Sequence, residues 1–304
     1  MMIFICDSER YTQSIKDGLN LYVVSVLPSM LPFFFFSKIL TELGFAVTIG
    51  KILGTPLKKF YRAPEIGGYV MIMSMLCGYP IGAKLIGECY ENGLIDTNDS
   101  KKLTTFCSTT GPLFIVGTVG VGFFQNKIYG FILLISHYLG AILNGLLYRR
   151  IKIKDKNTHI QTLVSPDDVL NKSMINTFIS VGIVGGYITI FNAILDLFVY
   201  SGIIPSLSRF LYRFSVPTDI SMGVAGGLIE MTKGCLILSQ TPFSPILILP
   251  LCQFLITFGG LSVTLQSLTF LAKTKVSPLF YLLSKFTQAV FSCGICFLLS
   301  LFIK

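Results

Sequence analysis

The sequence predicts an all-α polytopic membrane protein built as an inverted repeat. Three observations carry that expectation. The 304-residue chain is 52% hydrophobic and 13% charged, where soluble domains are about 25% charged. Several apolar runs are long enough to span a bilayer, which takes roughly 20 residues. Two shorter apolar segments, Gly67–Glu88 and Gly223–Leu238, occupy matching places in the two halves. Each is interrupted by glycines and carries a lysine and a glutamate: Lys84 and Glu88 in the first, Glu230 and Lys233 in the second. Charges at membrane depth are costly and face an interior pathway. Short, broken segments in corresponding positions of two halves point to a transporter binding site.

Taken in order, the spanning runs are 19–42, 103–124, 127–148, 174–200, 246–271 and 278–303. Between them, 45–60 and 203–214 mix apolar residues with Lys51, Lys58 and Lys59 or with Arg209 and Arg213. Both read as amphipathic, interfacial helices, and 45–60 is also able to cross. The broken segments, 67–87 and 220–239, follow directly. Each half therefore has three spanning helices, an amphipathic helix and a broken or re-entrant segment. Residues 1–148 form an N-terminal repeat, 149–172 a basic cytoplasmic linker and 173–304 a C-terminal repeat. If the broken segments enter and leave on one side, each half crosses three times and the halves are inverted. With the linker in the cytoplasm, 15 basic residues fall inside and seven opposite, with Lys38 and Lys285 near cytoplasmic helix ends. That bias agrees with the positive-inside rule. The N-terminus, MMIFICDSERYTQS, lacks a basic n-region and a cleavage site and reads as uncleaved.

The net charge of +9 invites a nucleic-acid partner, but the basic residues lie in loops between apolar runs, where membrane orientation explains them. Most of the eight cysteines sit in apolar runs and read as small hydrophobes; Cys293-Gly-Ile-Cys296 lacks further ligands and reads as packing. His137 and His159 are far apart and form no ligand set. There is no nucleophile–base set, so no enzyme, metal or cofactor is expected.

Four motifs carry the expected chemistry. In Cys77-Gly-Tyr-Pro-Ile-Gly-Ala-Lys84, Gly78 and Gly82 permit an irregular backbone, Tyr79 adds an aromatic ring, and Pro80 opens a new half-helix. A helix starting inside the membrane offers free N–H groups to an anion, with Lys84 one turn on; alternatively Lys84 snorkels to the surface. In Phe106–Phe114, the hydroxyls of Ser108, Thr109 and Thr110 precede a Gly111-Pro112 break; they line a cavity or bond neighbouring helices. In Gly226–Gly234, Glu230 and Lys233 are spaced to share a helix face, as an ion pair or as a coupling carboxylate beside a substrate-facing ammonium ahead of Gly234. In Phe258–Gln266, Gly259 and Gly260 allow close approach, and Ser262 and Gln266 put polar groups on one face.

The runs CGYPIGAKLIGECYENGLI, FCSTTGPLFIVGTVGVGFF, GLIEMTKG and FGGLSV together resemble the YlbJ-type sporulation integral membrane proteins of endospore-forming Firmicutes, which carry two nucleoside-recognition Gate domains. The resemblance implies two Gate-like halves, a multipass fold distantly similar to concentrative nucleoside transporters, and export of dipicolinic acid from the mother cell across the outer forespore membrane. Lys233 departs from the family pattern, which has a small polar residue before Gly234. Dipicolinate is a planar dianion. Two helix N-termini and one or two lysines suit it, Tyr79 offers a ring to stack on, and Glu230 suits a coupling proton or cation. The expected partners are thus a small-molecule anion and the lipid bilayer. The alternatives are a nucleoside or other small-solute carrier, or a non-transporting membrane scaffold of a sporulation complex.

Overall fold

A computed structural model describes residues 8–43, 45–152 and 169–302. Most of the 149–172 linker, together with His159, Cys6 and Lys304, lies outside the described residues. Among the described residues the regular elements are helices. The N-terminal half holds α1 (Ser8–Leu21), α2 (Leu27–Glu42), α3 (Phe45–Tyr61), α4 (Gly67–Cys77), α5 (Ile81–Glu91), α6 (Thr97–Thr104), the π-helical α7 (Leu113–Phe123) and α8 (Lys127–Leu147). The C-terminal half holds α9 (Val169–Tyr200), α10 (Ile203–Tyr212), α11 (Thr218–Ile229), α12 (Met231–Ser239), α13 (Pro245–Phe258), α14 (Gly260–Leu271) and α15 (Pro278–Ser300).

Two pairs of helices pack across the halves. The first long helices, α2 and α9, lie together, as do the last, α8 and α15. Those last two show how the sequence orients a helix in lipid. On α8, Ile128, Phe131, Ile135, Leu139 and Leu143 face outward, whereas Ser136, His137 and Asn144 are buried. On α15, Leu279, Leu283, Phe286 and Val290 face outward, whereas Tyr281, Ser284, Lys285, Gln288 and Ser292 are buried. The apolar stripe meets lipid, and the polar stripe, at the same three- and four-residue spacing, forms the interior. This is an all-α polytopic membrane protein.

Among the described residues four helical stretches are long and apolar enough to cross a membrane, Lys127–Leu147, Val169–Tyr200, Pro278–Ser300 and the interrupted Pro245–Thr274, with the bent pair Ser8–Val26 and Met30–Leu40 a fifth if it is one span. The first expected span, 19–42, is corrected. The helix starts at Ser8, widens to π geometry over Tyr22–Val26 and bends by 62° between Ser8–Val26 and Met30–Leu40. Pro28 and Pro32, which lack N–H donors, account for the bend. The expected span 103–124 is not one helix either. α6 stops at Thr104, residues 105–112 run without regular structure, and α7 starts only at Leu113, after Gly111-Pro112. Its counterpart, 246–271, is broken at Gly259 and Gly260, with φ of +86° and +63°, which L-residues with side chains avoid.

Both Gly/Pro-broken segments fold back as helical hairpins. In α11–α12, Gly234 lies against Gly227, and Gly223 against Leu238; pairing in opposite sequence order means the two helices run antiparallel. In α4–α5, Gly82 lies beside Ser74. The two breaks of each half then cross. Gly78, with φ +80°, lies on the backbone of Gly111, and Gly260 lies on the carbonyls of Gly227 and Leu228. Gly82 also abuts the carbonyl of Cys107 so closely that any Cβ would overlap it.

Gly82→Val therefore forces the extended segment off α5 and destabilises the fold by about 3 kcal/mol, the upper end for overpacking. Gly294→Ala, whose Cβ meets nothing within 4 Å, is neutral or stabilising by up to about 1 kcal/mol. Thermal unfolding of detergent-purified protein compares the two, and equal melting temperatures contradict the crossing.

Candidate functional site

The crossing of the breaks leaves backbone groups in the membrane interior that a helix would otherwise satisfy, and each must find a protein partner. Residues 105–110 find theirs on α8 and α15. Asn144 Nδ2 donates to Thr105 O at 2.7 Å, and Lys285 Nζ donates to Ser108 O at 2.8 Å. The Thr110 N–H donates to His137 Nε2 at 2.8 Å. Because that ring nitrogen accepts a backbone N–H, the ring hydrogen belongs on Nδ1, which lies 2.8 Å from Thr257 Oγ1 on α13. Gln253 Nε2 donates to the same hydroxyl at 2.9 Å. Thr109 is tied to α4, with Ser74 Oγ 2.9 Å from Thr109 Oγ1. Ser108 Oγ lies 2.9 Å from Tyr281 OH.

Tyr79 closes the network. Its hydroxyl donates to Thr257 O at 3.0 Å and accepts from Lys285 Nζ, which also lies 4.7 Å from the centre of the Tyr79 ring. The first break is thereby fixed to the C-terminal half. Thr110 Oγ1 adds a second link, donating to Ile256 O at 3.2 Å.

On one side of this network lies a cavity of about 40 Å³, walled by Gly78, Tyr79, Thr110, Gly111, Glu230, Ser262 and Gln266 together with apolar residues of α2, α7 and α9. All four sequence motifs reach it. At roughly 10–15 Å³ per water it holds a few waters, not an aromatic dicarboxylate, so this conformation is closed. Glu230 is 1% exposed. It stands at the break itself, as the N-cap of α12, and its Oε2 accepts from the Lys233 N–H at 2.7 Å. Gln266 Nε2 donates to Ser262 Oγ at 3.3 Å.

The remaining candidates serve the breaks rather than the cavity wall. Pro80 precedes α5, Pro112 precedes α7, and Gly82, Gly234, Gly259 and Gly260 are close-approach points. Two lysines are corrected. Lys84 points to α9 and the helix surface, 3.5 Å from Ser180 Oγ and 3.9 Å from Glu88 Oε1, because α5 presents its other face to the breaks. Lys233 meets Glu230 through its backbone N–H; the two do not share a helix face, because Glu230 has an extended backbone, φ −135° and ψ 108°. The Tyr79 ring has the Lys285 ammonium 4.7 Å from its centre in this conformation. Lys285, expected near a cytoplasmic helix end, is 0% exposed in the centre.

Lys285 and His137 are the residues that reading by motif missed. A signal was present: Tyr281, Lys285, Gln288 and Ser292 fall at four-, three- and four-residue steps in an apolar helix, which marks a buried polar face.

The fold and site define a polytopic membrane protein whose helices break around a polar, charge-bearing core. The chain is similar to the sporulation integral membrane protein YlbJ of Bacillus subtilis (strain 168), 28% identical across 91% of this chain and 74% of that protein. That likeness bears out the resemblance carried by the four motifs, to the YlbJ-type sporulation membrane proteins. No family model and no solved structure matches the chain.

His137→Phe leaves the Thr110 N–H unpaired and costs about 1–3 kcal/mol. Lys84→Met, which removes a long, partly exposed ion pair and a 3.5 Å contact to Ser180, stays within about 1 kcal/mol of the parent. Chemical or thermal unfolding in detergent separates the two, and a reversed order refutes the placement of His137.

Proposed function

We propose that this protein is a carrier of a small organic anion, with dipicolinate exported from the mother cell across the outer forespore membrane as the leading substrate. The observation that carries the reading is the convergence of four helix breaks, from both halves, on one buried cavity that includes a glutamate. A scaffold gains nothing from such breaks or from a carboxylate at that depth. The relative's role as a sporulation membrane protein supplies the biological setting, and a matching order of elements in two halves suits alternating access by inverted repeats.

The geometry suggests how an anion and a proton are coupled. A helix N-terminus attracts anions, and at α12 that position is filled by the carboxylate of Glu230 itself. Glu230 thus stands in for a substrate carboxylate. Taking up a proton at Glu230 weakens its hold on the Lys233 N–H and leaves the α12 N-terminus open to the incoming anion. Losing the proton restores the internal cap and expels the anion. The cavity must widen for this cycle, and the breaks, where few residues change direction, are the natural hinges.

The reading is tested in spores of a host in which this chain replaces the resident YlbJ-type protein. Glu230→Ala lowers spore dipicolinate by about tenfold or more at unchanged protein level, in proportion to the loss of a charge-assisted contact. Lys84→Ala, off the cavity, leaves it within about twofold of the parent. Normal dipicolinate in the Glu230→Ala strain, with the protein present, overturns the assignment of the site.

A further inference from the structure

Lys285 is a lysine at the centre of a membrane protein, 0% exposed. Among the described residues no carboxylate reaches its ammonium. Its three donors go to neutral acceptors: Tyr79 OH, Ser108 O at 2.8 Å and Gln288 Oε1 at 3.1 Å. For packing alone this is an expensive choice, since an apolar side chain of similar volume avoids the desolvation cost of a buried charge. The neighbourhood indicates what else the charge is for. Two of its acceptors belong to the first and second helix breaks. Tyr79, whose ring centre lies 4.7 Å from the ammonium, also walls the cavity, so the residue that holds the cation borders the cavity as well. One turn along α15, Gln288 accepts from Lys285 through Oε1 while its Nε2 is buried without a hydrogen-bond partner, a donor left unspent next to the ammonium.

We propose that Lys285 is the carboxylate-binding cation of this protein and that Tyr79 is the gate in front of it. In the closed conformation the Tyr79 hydroxyl holds the ammonium; when Tyr79 swings away, a ligand carboxylate replaces the hydroxyl while Ser108 O and Gln288 Oε1 keep their bonds. The exchange is favourable because a carboxylate adds Coulombic attraction to the ammonium that a neutral hydroxyl lacks. The swing also releases Thr257 O, and with it one tie between the breaks of the two halves, so binding at Lys285 and loosening of the closed state are the same event. This rests on the carrier reading above and adds a cation to the anion site which that reading places at the α12 N-terminus.

The test is flux of radiolabelled pyridine-2,6-dicarboxylate into liposomes holding the full-length protein, with uridine as a ligand lacking a carboxylate. Wild-type protein is expected to carry the dicarboxylate saturably and uridine not at all. Lys285→Met is expected to lose about 10- to 100-fold in dicarboxylate flux, the range for a charged hydrogen bond, with Lys285→Arg retaining part. If wild-type protein carries neither solute, the carrier reading falls and this inference with it. Transport of uridine without the dicarboxylate defeats the carboxylate assignment but leaves a carrier. A Lys285→Met protein that carries the dicarboxylate within about twofold of wild type defeats the inference alone. Should Lys285→Met not fold, Tyr79→Phe decides: losing the competing hydroxyl is expected to lower KM for the dicarboxylate several-fold, and an unchanged KM overturns the proposal.

Discussion

Everything central in this fold depends on one requirement: an irregular backbone inside a bilayer has only protein to hydrogen-bond with. The stretch 105–112 has no helix of its own, so Asn144, His137 and Lys285 reach in from α8 and α15 to serve Thr105, Thr110 and Ser108. Those two helices must then present polar faces to each other and apolar faces to lipid, and they do. The tight pairing of α8 with α15, one from each half, follows from the needs of the segment between them. An unpaired backbone group costs about 1–3 kcal/mol, so three such groups together compare with a sizeable share of a domain's net stability, about 5–15 kcal/mol.

The same requirement explains the glycines. Two broken backbones can cross only where neither carries a Cβ in the way, and this happens at Gly78 on Gly111 and at Gly260 on Gly227. The crossing brings Tyr79 and Thr110 to the α13 carbonyls of Thr257 and Ile256. Packing within each half and contact between halves are therefore one construction. A cavity bounded by four breaks is its by-product; hydrogen bonds join the first, second and fourth breaks, and backbone packing joins the third to the fourth.

Much of this was legible in the chain. Gly-Tyr-Pro, Gly-Pro and Gly-Gly interruptions mark the breaks because no sequence of that kind continues a helix, and the structure breaks at those points. Glu230 stood out because a carboxylate in an apolar run has few uses. Three things were hidden. α1 is polar and amphipathic, so it does not announce itself in a search for apolar runs. The unwinding of 103–124 was masked by its apolar composition, although Ser-Thr-Thr-Gly-Pro was in view. Lys84 and Lys233 lie within motifs and Lys285 outside them, yet closeness to a motif is a poor guide in helices: three or four residues decide which face a side chain takes. Lys84 sits on the wrong face of α5, and Lys285, far from any motif in sequence, sits on the right face of α15.

Two of the buried charges impose a final constraint. Glu230 and Lys285 are both at most 1% exposed, and each is solvated by neutral groups: Glu230 by a helix N-terminus, Lys285 by a phenol, an amide oxygen and a carbonyl. Placing either alone in the membrane interior costs several kcal/mol; placing both lets one charge offset the other without direct contact between them. Had they met as an ion pair, the pair would be inert, because an incoming anion would have to displace a full charge from the lysine. Held apart, with Tyr79 bordering both cavity and cation, each stays exchangeable. A ligand carboxylate that takes Lys285 leaves Glu230 uncompensated, and a proton on Glu230 removes that charge; a dianion brings a second negative charge, which a further proton or the α12 N-terminus has to meet. Separation of the charges thus favours uptake of a proton with the anion in a low-dielectric interior.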